Sequence, residues 1–267
     1  MASLERRVAV DAARVAGLLL HDEVSGARRI TYKDSPTNLV TEMDQRAEAE
    51  ILGRLRATFP DDAILSEETG ASPGHSGRRW IIDPLDGTTN YAHGLPVFGV
   101  SIALEAERRI ILGVVYDPSR DELFVAERGR GATLGDAPIR VSASASLGES
   151  LLTTGFPYNI RDTRDTNLPE YAAFSVRARA VRRLGSAVLD LAYVACGRFD
   201  AFWELRLGAW DVAAGSLLVE EAGGMITGID GGPLDVDAPT LVASNGLVHH
   251  DVLRVLKEVR GARRELG

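Results

Sequence analysis

The order of apolar runs along the chain restricts the fold more than any single residue does. Val97 to Ala106, Arg109 to Tyr116 and Glu122 to Glu127 follow one another across short turns, as successive antiparallel strands do. From Leu151 the character changes. A strand at 151–154, a helix near 169–178 and a strand at 180–184 are followed by a helix at 186–196 and a strand at 199–203. A helix at 211–222, strands at 225–227 and 241–243 and a last helix from near Val248 complete the alternation. Ahead of all this stand two helices with one buried stripe each. Leu4 to His21 carries Val8, Ala12, Val15, Ala16 and Leu19 at helical spacing, and a second helix follows Asp44 to about Thr58 with Ala47, Ile51 and Leu55 inward. Lys33 to Asn38, rich in turn formers, reads as a loop. Strand runs in one half and alternation in the other predict an α/β (α+β) chain of layered sheets and helices. The small, polar stretch from Ala143 to Ser150 is the expected boundary between two packed lobes of one domain, about 1–145 and 146–267.

Charge narrows the function classes. The formal net charge of -8 argues against a dominant nucleic-acid or anionic-membrane surface. It is compatible with phosphate substrates, because bound cations reverse the local field. Arg177, Arg179, Arg182 and Arg183 form a basic cluster for which a surface role is expected over an RNA site. The N-terminal segment is interrupted by charge and lacks a signal-peptide core, and no run is long enough to cross a bilayer, so a cytoplasmic location is expected. Cys196, the single cysteine, lies in an apolar run and reads as core. None of the five histidines has convincing zinc spacing, and His249 and His250 read as surface residues. Gly129-x-Gly131 lacks the third glycine of a dinucleotide fingerprint, Leu134 standing in its place.

The most informative segment is Trp80-Ile81-Ile82-Asp83-Pro84-Leu85-Asp86-Gly87-Thr88-Thr89-Asn90-Tyr91. Pro84 biases Asp83 towards an extended conformation at the end of a strand, and a turn then brings Asp86 three residues later. Such a turn can gather both carboxylates and the Leu85 carbonyl around a hard cation. Gly-Thr-Thr-Asn can open a short helix whose amides face an anion. Glu67 and Glu68 follow the short strand 63–65, and Asp211 begins a helix, which suits a shared cleft. Each feature also has a plain reading: Asp-Pro-x-Asp-Gly as a turn, Asp211 as an N-cap, Glu67 and Glu68 as a solvated loop. From the residues alone, the reading ends at an oxygen-rich metal site facing an anion.

The segments together resemble the inositol monophosphatase family. WIIDPLDGTTNY is similar to its first motif and AWDVAAGSLLVEEAGG to its second. NLVTEMDQRAE and LSEET are similar to the segments upstream, and RRLGSAVLDLAYVACGRFDAFWE to the region between the motifs. The resemblance spans nearly the whole chain. It implies a layered αβαβα sandwich of the inositol monophosphatase / fructose-1,6-bisphosphatase type and, commonly, a homodimer. It implies two or three Mg²⁺ ions: Glu67, Asp83 and the carbonyl of Leu85 on the first, Asp83, Asp86 and Asp211 on the second. Thr88, between Glu67 and Asp44, would orient the attacking water, with the amides of Gly87 and Thr88 on the phosphate. Gly185, Ser186 and Ala187 would line the substrate alcohol, and Glu204 would bind its hydroxyls. The implied reaction is hydrolysis of a small phosphate monoester, myo-inositol monophosphate first, with inhibition by Li⁺.

Departures bear on substrate. Arg206 stands at a variable position near the alcohol pocket, and Tyr158, Asn159 and Arg161 lie in a loop that can reach it. Fructose 1,6-bisphosphate, histidinol phosphate, NADP and nucleotide phosphates are alternative substrates. GTTNYAHG, rather than GTKNF, is closer to the inositol phosphatases than to the histidinol phosphatases. An added role in binding nucleic acid or a transcription factor is the remaining alternative.

Overall fold

Capping residues and apolar stripes start the two N-terminal helices. The computed structural model describes residues 2–24, 30–32 and 39–265. In it α1 runs Leu4–Glu23, and the Arg6 N–H donates to Ser3 Oγ at 3.1 Å at its start. Strands β1 (Ile30–Tyr32) and β2 (Leu39–Thr41) lead into α2 (Glu42–Thr58). The loop expected at 33–38 lies outside the described residues. Contrary to expectation α2 begins before Asp44, because Thr41 caps it and Asp44 answers from the third helical position.

The chain continues through β3 (Ala63–Ser66), β4 (Gly70–Ser72), β5 (Arg78–Asp86), α3 (Thr88–Ala92), β6 (Gly99–Ala106), β7 (Arg109–Asp117), β8 (Glu122–Glu127), β9 (Ala132–Leu134) and β10 (Ala137–Pro138). A 3₁₀ turn at Leu147–Glu149 precedes β11 (Leu151–Thr154), α4 (Leu168–Ser175), β12 (Ala180–Arg182), α5 (Ala187–Ala195) and β13 (Ala201–Glu204). Last come α6 (Ala209–Glu221), β14 (Met225–Gly228), β15 (Leu241–Ser244) and α7 (His249–Glu265). An eight-stranded sheet has the order β10-β9-β8-β7-β6-β5-β3-β4, and a five-stranded one the order β12-β11-β13-β15-β14. In the first, only β3 and β5 pair in parallel. The second is mixed, with β11 parallel to both β12 and β13.

Helix polarity decides the layering. Every residue of α5 is buried, as a helix held between two sheets requires, and α6 buries nine of its residues. Both pack between the sheets. The amphipathic α1 and α2 cover the outer face of the large sheet, and α4 and α7 the outer face of the small one. The strand period of two divides the side chains accordingly: Trp80 and Ile82 of β5 enter the core under α1 and α2, while Ile81 enters the core around α5 and α6. The result is a five-layer αβαβα sandwich.

Two local expectations are corrected. Pro84 does not stop β5, which continues to Asp86. Pairing with β6 instead passes from Asp83↔Ser101 to Asp86↔Gly99, so β5 holds one extra residue there. Proline is tolerated inside a strand at such a bulge, where the regular ladder is already interrupted. His249 is not a surface residue. It is fully buried at the start of α7, with Nδ1 2.9 Å from Ser244 Oγ and Nε2 3.0 Å from Thr227 Oγ1, while His250 is exposed. Two hydroxyls satisfy its ring, and burial pushes its pKa down to about 4.

Candidate active site

The bulge in β5 has a chemical consequence. In a regular strand, residues three apart point to opposite faces, and one extra residue restores them to the same side. Asp83 and Asp86 thus meet Asp211 from the start of α6, with one candidate ligand oxygen from each lying within 4.8 Å of the others. Each carboxylate is held. Asp83 Oδ1 accepts from the Leu85 N–H at 3.0 Å. Asp86 Oδ2 accepts from Ser186 Oγ at 2.5 Å and from the Val188 N–H at 2.8 Å. Asp211 Oδ2 accepts from the Gly208 N–H at 2.6 Å. The plain reading of Asp211 as an N-cap is corrected, since Gly208 holds that position and Asp211 bonds back to its N–H. It sits third in α6 rather than first, and its capping bond leaves the group facing the other two aspartates.

Burial pushes Asp83 well above the usual carboxylate range, and the charges of Glu67, Asp86 and Asp211 push it further. Asp211 is raised for the same reasons, by burial and then by Asp86 and Glu67. Burial lifts Asp86 to about 6, against the pull of Ser186, Val188, Gly87 and Arg183. Glu67, which follows β3, also lies within hydrogen-bonding reach of Asp83. A cluster that resists carrying its own negative charge, and offers only oxygen, fits a hard divalent cation such as Mg²⁺.

Asp44 and Thr88 form the adjoining wall. Thr88 Oγ1 lies 3.1 Å from Asp44 Oδ1 and 3.1 Å from the Leu85 carbonyl, and can donate to either. Asp44 Oδ2 accepts from the Thr41 N–H and Oγ1, both at 2.7 Å. Burial raises Asp44 to about 6, the Thr41 bonds opposing and the charges of Glu68 and Glu67 assisting. Gly87 stands between Asp86 and α3 with φ of 91°, and an added Cβ would lie 2.9 Å from the Val97 carbonyl. A side chain there would have neither conformation nor room.

A pocket opens beside the cluster. Asp86, Asp211, Gly185, Ser186, Ala187 and Glu204 all line it. The structure brings Asp83, Asp86 and Asp211 together and sets Gly185, Ser186, Ala187 and Glu204 in the adjoining pocket, with Thr88 bridging Asp44 and the Leu85 carbonyl beside them.

Three further groups there were not singled out in the sequence. Asp190 is buried on α5 and also lines the pocket, its Oδ1 accepting from Thr153 Oγ1 at 2.8 Å. A lone charge inside the run Ala-Val-Leu-Asp-Leu-Ala-Tyr-Val-Ala was the signal. Gly155 abuts Glu204 so closely that a Cβ would come within 2.1 Å of its carboxylate. Only tertiary structure discloses that approach. Asn167 donates to the Gly155 carbonyl at 2.6 Å and accepts from Trp203 Nε1 at 2.7 Å, fixing that segment. Arg183, one of the basic cluster, is exposed as expected but also lines the pocket. Tyr158 reaches the pocket too.

An oxygen-only carboxylate cluster beside a polar pocket, in an αβαβα sandwich, defines the class: a hydrolase that works with hard cations. The model for the inositol monophosphatase family matches residues 3–261. An inositol-1-monophosphatase of Mesorhizobium japonicum is 42% identical over 258 residues, covering 96% of this chain and 97% of that protein. The Nus factor SuhB of Pseudomonas aeruginosa is 44% identical over 245 residues, covering 89% and 90%. The structure of an inositol monophosphatase from Anabaena superposes with a TM-score of 0.85 at 42% identity, covering 94% of each chain. The chain belongs to the inositol monophosphatase family and is a phosphoric monoester hydrolase. The family is metal-dependent, with Mg²⁺ typical, and the acidic cluster has the donor set for it. Among the described residues no helix is long and apolar enough to cross a membrane.

Proposed function

We propose that this protein hydrolyses myo-inositol monophosphate to inositol and phosphate, with two or three Mg²⁺ ions held by Glu67, Asp83, Asp86, Asp211 and the Leu85 carbonyl. The observation that carries the reading is the meeting of Asp83, Asp86 and Asp211 at one point, from two segments far apart in the chain. When bound, the cations would neutralise charge on the phosphate and the leaving oxygen and lower the pKa of water.

The chain's own groups supply the geometry. The Thr88 hydroxyl has its single proton committed towards Asp44 or the Leu85 carbonyl, so its lone pairs are left to accept from an attacking water. Asp44 and Glu67 flank that position and orient the water, which needs no strong base in Thr88 itself. The amides of Gly87 and Thr88 face the phosphate. On the leaving-group side Gly185, Ser186 and Ala187 form the wall, and Glu204 accepts hydrogen bonds from ring hydroxyls. No covalent phosphoenzyme is involved.

Phosphate release from inositol 1-phosphate should require Mg²⁺ and be lost in Asp83→Asn. Activity on inositol 1-phosphate no higher than on every other sugar phosphate tested would overturn the substrate, and no release from any monoester would overturn the reading entirely. A homodimer, expected by family, is checked by light scattering, and Li⁺ inhibition by titration. The exposed arginines 177, 179, 182 and 183, together with relatives named Nus factor SuhB, motivate a second role in RNA binding. Salt-sensitive RNA retention measures it.

A further inference from the structure

Glu204 is buried where it lines the pocket, and among the described residues no hydrogen bond holds its carboxylate. A contact with Gly155 limits it instead. Strands β11 and β13 run parallel with Thr154 beside Trp203, so Gly155, just past β11, lies beside Glu204, the last residue of β13. A Cβ on Gly155 would lie 2.1 and 2.2 Å from the two carboxylate oxygens, so the group rests face-on against that backbone. Where Gly155 sits therefore decides where Glu204 can point.

Gly155 is held in turn from the opposite face of the sheet. Side chains alternate along a strand, and Trp203 enters the core under α4 and α7 while Glu204 turns the other way. Asn167, fully buried just before α4, spans both strands on that outer face. Its Nδ2 donates to the Gly155 carbonyl at 2.6 Å and to Thr154 Oγ1 at 2.8 Å, and its Oδ1 accepts from Trp203 Nε1 at 2.7 Å. Thr154 Oγ1 commits its own proton to the Trp203 carbonyl. Only an amide, with its nitrogen towards Gly155 and its oxygen towards Trp203, satisfies all three places. The φ of Asn167 is 63°, and its side chain makes no cap bond to α4. Glycine would take that backbone more freely, so what the side chain contributes is a clamp between the two strand ends.

We propose that Asn167 is a positioning residue for selection of the substrate alcohol: by pinning Gly155 to the end of β13, it sets the Glu204 carboxylate where ring hydroxyls meet it. The proposal rests on the reading above of Glu204 as the acceptor of those hydroxyls, and adds to it a residue on the far side of the sheet. Asn167 bonds to none of Asp83, Asp86 and Asp211. Its effect therefore falls on the leaving group and leaves the cations and the scissile phosphate alone.

The test is the ratio of kcat/KM for inositol 1-phosphate to that for 4-nitrophenyl phosphate, whose leaving group carries no ring hydroxyls, in the Mg²⁺-loaded enzyme. Asn167→Gly suits the observed φ and removes all three bonds. It should lower the ratio about tenfold, chiefly through KM of inositol 1-phosphate, and leave the Mg²⁺-induced gain in Tm unchanged. Gly155→Ala, which displaces the carboxylate directly, should lower the ratio about as far. Val255→Ala loosens the core around Trp203 without touching the clamp, and should lower Tm while the ratio stays within about twofold. Should Asn167→Gly fail to fold, Trp203→Phe removes the Nε1–H alone and should lower the ratio about threefold. In a Glu204→Ala background neither Asn167→Gly nor Trp203→Phe should add a further loss. A ratio within about twofold of wild type in Asn167→Gly, or in Trp203→Phe where only that variant folds, overturns the proposal. So does an equal loss in Val255→Ala, or a loss undiminished in the Glu204→Ala background. A wild-type ratio in Glu204→Ala overturns the Glu204 reading and the clamp's role with it, whereas absence of release from both esters in the wild type overturns the phosphatase reading itself.

Discussion

At the start of α2 and at the start of α6 an aspartate occupies the third helical position and turns Oδ2 back onto the chain that precedes the helix. Asp44 accepts there from the Thr41 N–H and hydroxyl, and Asp211 from the Gly208 N–H. The difference lies in the remaining oxygen. That of Asp44 meets the Thr88 hydroxyl, so the group is hydrogen-bonded on both sides. Asp211 instead offers a carboxylate oxygen to the group it forms with Asp83 and Asp86. Helix capping and site chemistry are thus not alternatives. A bond that fixes one oxygen also fixes where the other points, at no cost in further packing. The same local device sets one carboxylate against the Thr88 hydroxyl on α2 and another into the aspartate cluster on α6, and tertiary surroundings alone decide which.

The comparison breaks first, and most visibly, at Asp211. Asp211→Asn keeps an acceptor for Gly208, so the helix start survives. Phosphate release should still fall on the order of 10²–10³-fold, as when other groups acting on transition-state charge are removed. Wild-type protein stripped with chelator should gain roughly 5–10 °C in Tm on adding Mg²⁺ at a hundred times its Kd, and this gain should shrink sharply in the variant. A full Mg²⁺ shift in Asp211→Asn would mean that the two helix starts are equivalent. Asp44→Asn sharpens the contrast from the other side. It should lower kcat about 10- to 100-fold, through the Thr88 hydroxyl, and leave the Mg²⁺ shift in Tm intact.

Smaller still is the effect of removing the partner of the cap. Thr41→Ala takes away the hydroxyl that donates to Asp44 and accepts from the Met43 N–H at 3.2 Å. It should cost about 1 kcal/mol of stability, or roughly 2–4 °C, in thermal melts. No equivalent variant exists on α6, where Gly208 offers only its backbone.

How much of this the residues alone disclose depends on range. The alternation of apolar runs predicts the layers, since a fully apolar helix such as α5 has to be covered on both sides. Motif spacing marks Asp83 and Asp86, which are close in sequence. The contact of Asp86 with Ser186 and Val188 joins positions a hundred residues apart, and spacing carries no trace of it. Pro84 was read by its usual effect on a strand, and the bulge that absorbs it is a property of the pairing with β6. Gly155 against Glu204 is a distance between backbone and side chain that no pattern encodes. The helices expected after Asp44 and from Asp211 begin three and two residues earlier, at Glu42 and Ala209, because the capping bond, rather than the apolar stripe, sets where each helix begins.

The start of α7 extends the comparison to a group of opposite charge logic. There His249, the first helical residue, takes two hydroxyls, from Ser244 and Thr227, in full burial. Its pKa is depressed from 6.5 to about 4 because burial, and then the neighbouring His250, disfavour the imidazolium. The folded state therefore holds the ring neutral while the unfolded chain binds a proton below pH 6.5. Stability owed to this residue is complete above that pH and is lost as pH falls towards about 4. The buried carboxylates shift the other way, gaining protons more readily when folded, so a single melt series mixes both trends. The difference in Tm between wild type and His249→Gln isolates the histidine: it should be largest near pH 7 and narrow steadily down to pH 4. A difference that stays constant across that range would mean the imidazole carries its charge equally well inside the fold, and that the two hydroxyls accept from it rather than hold it neutral.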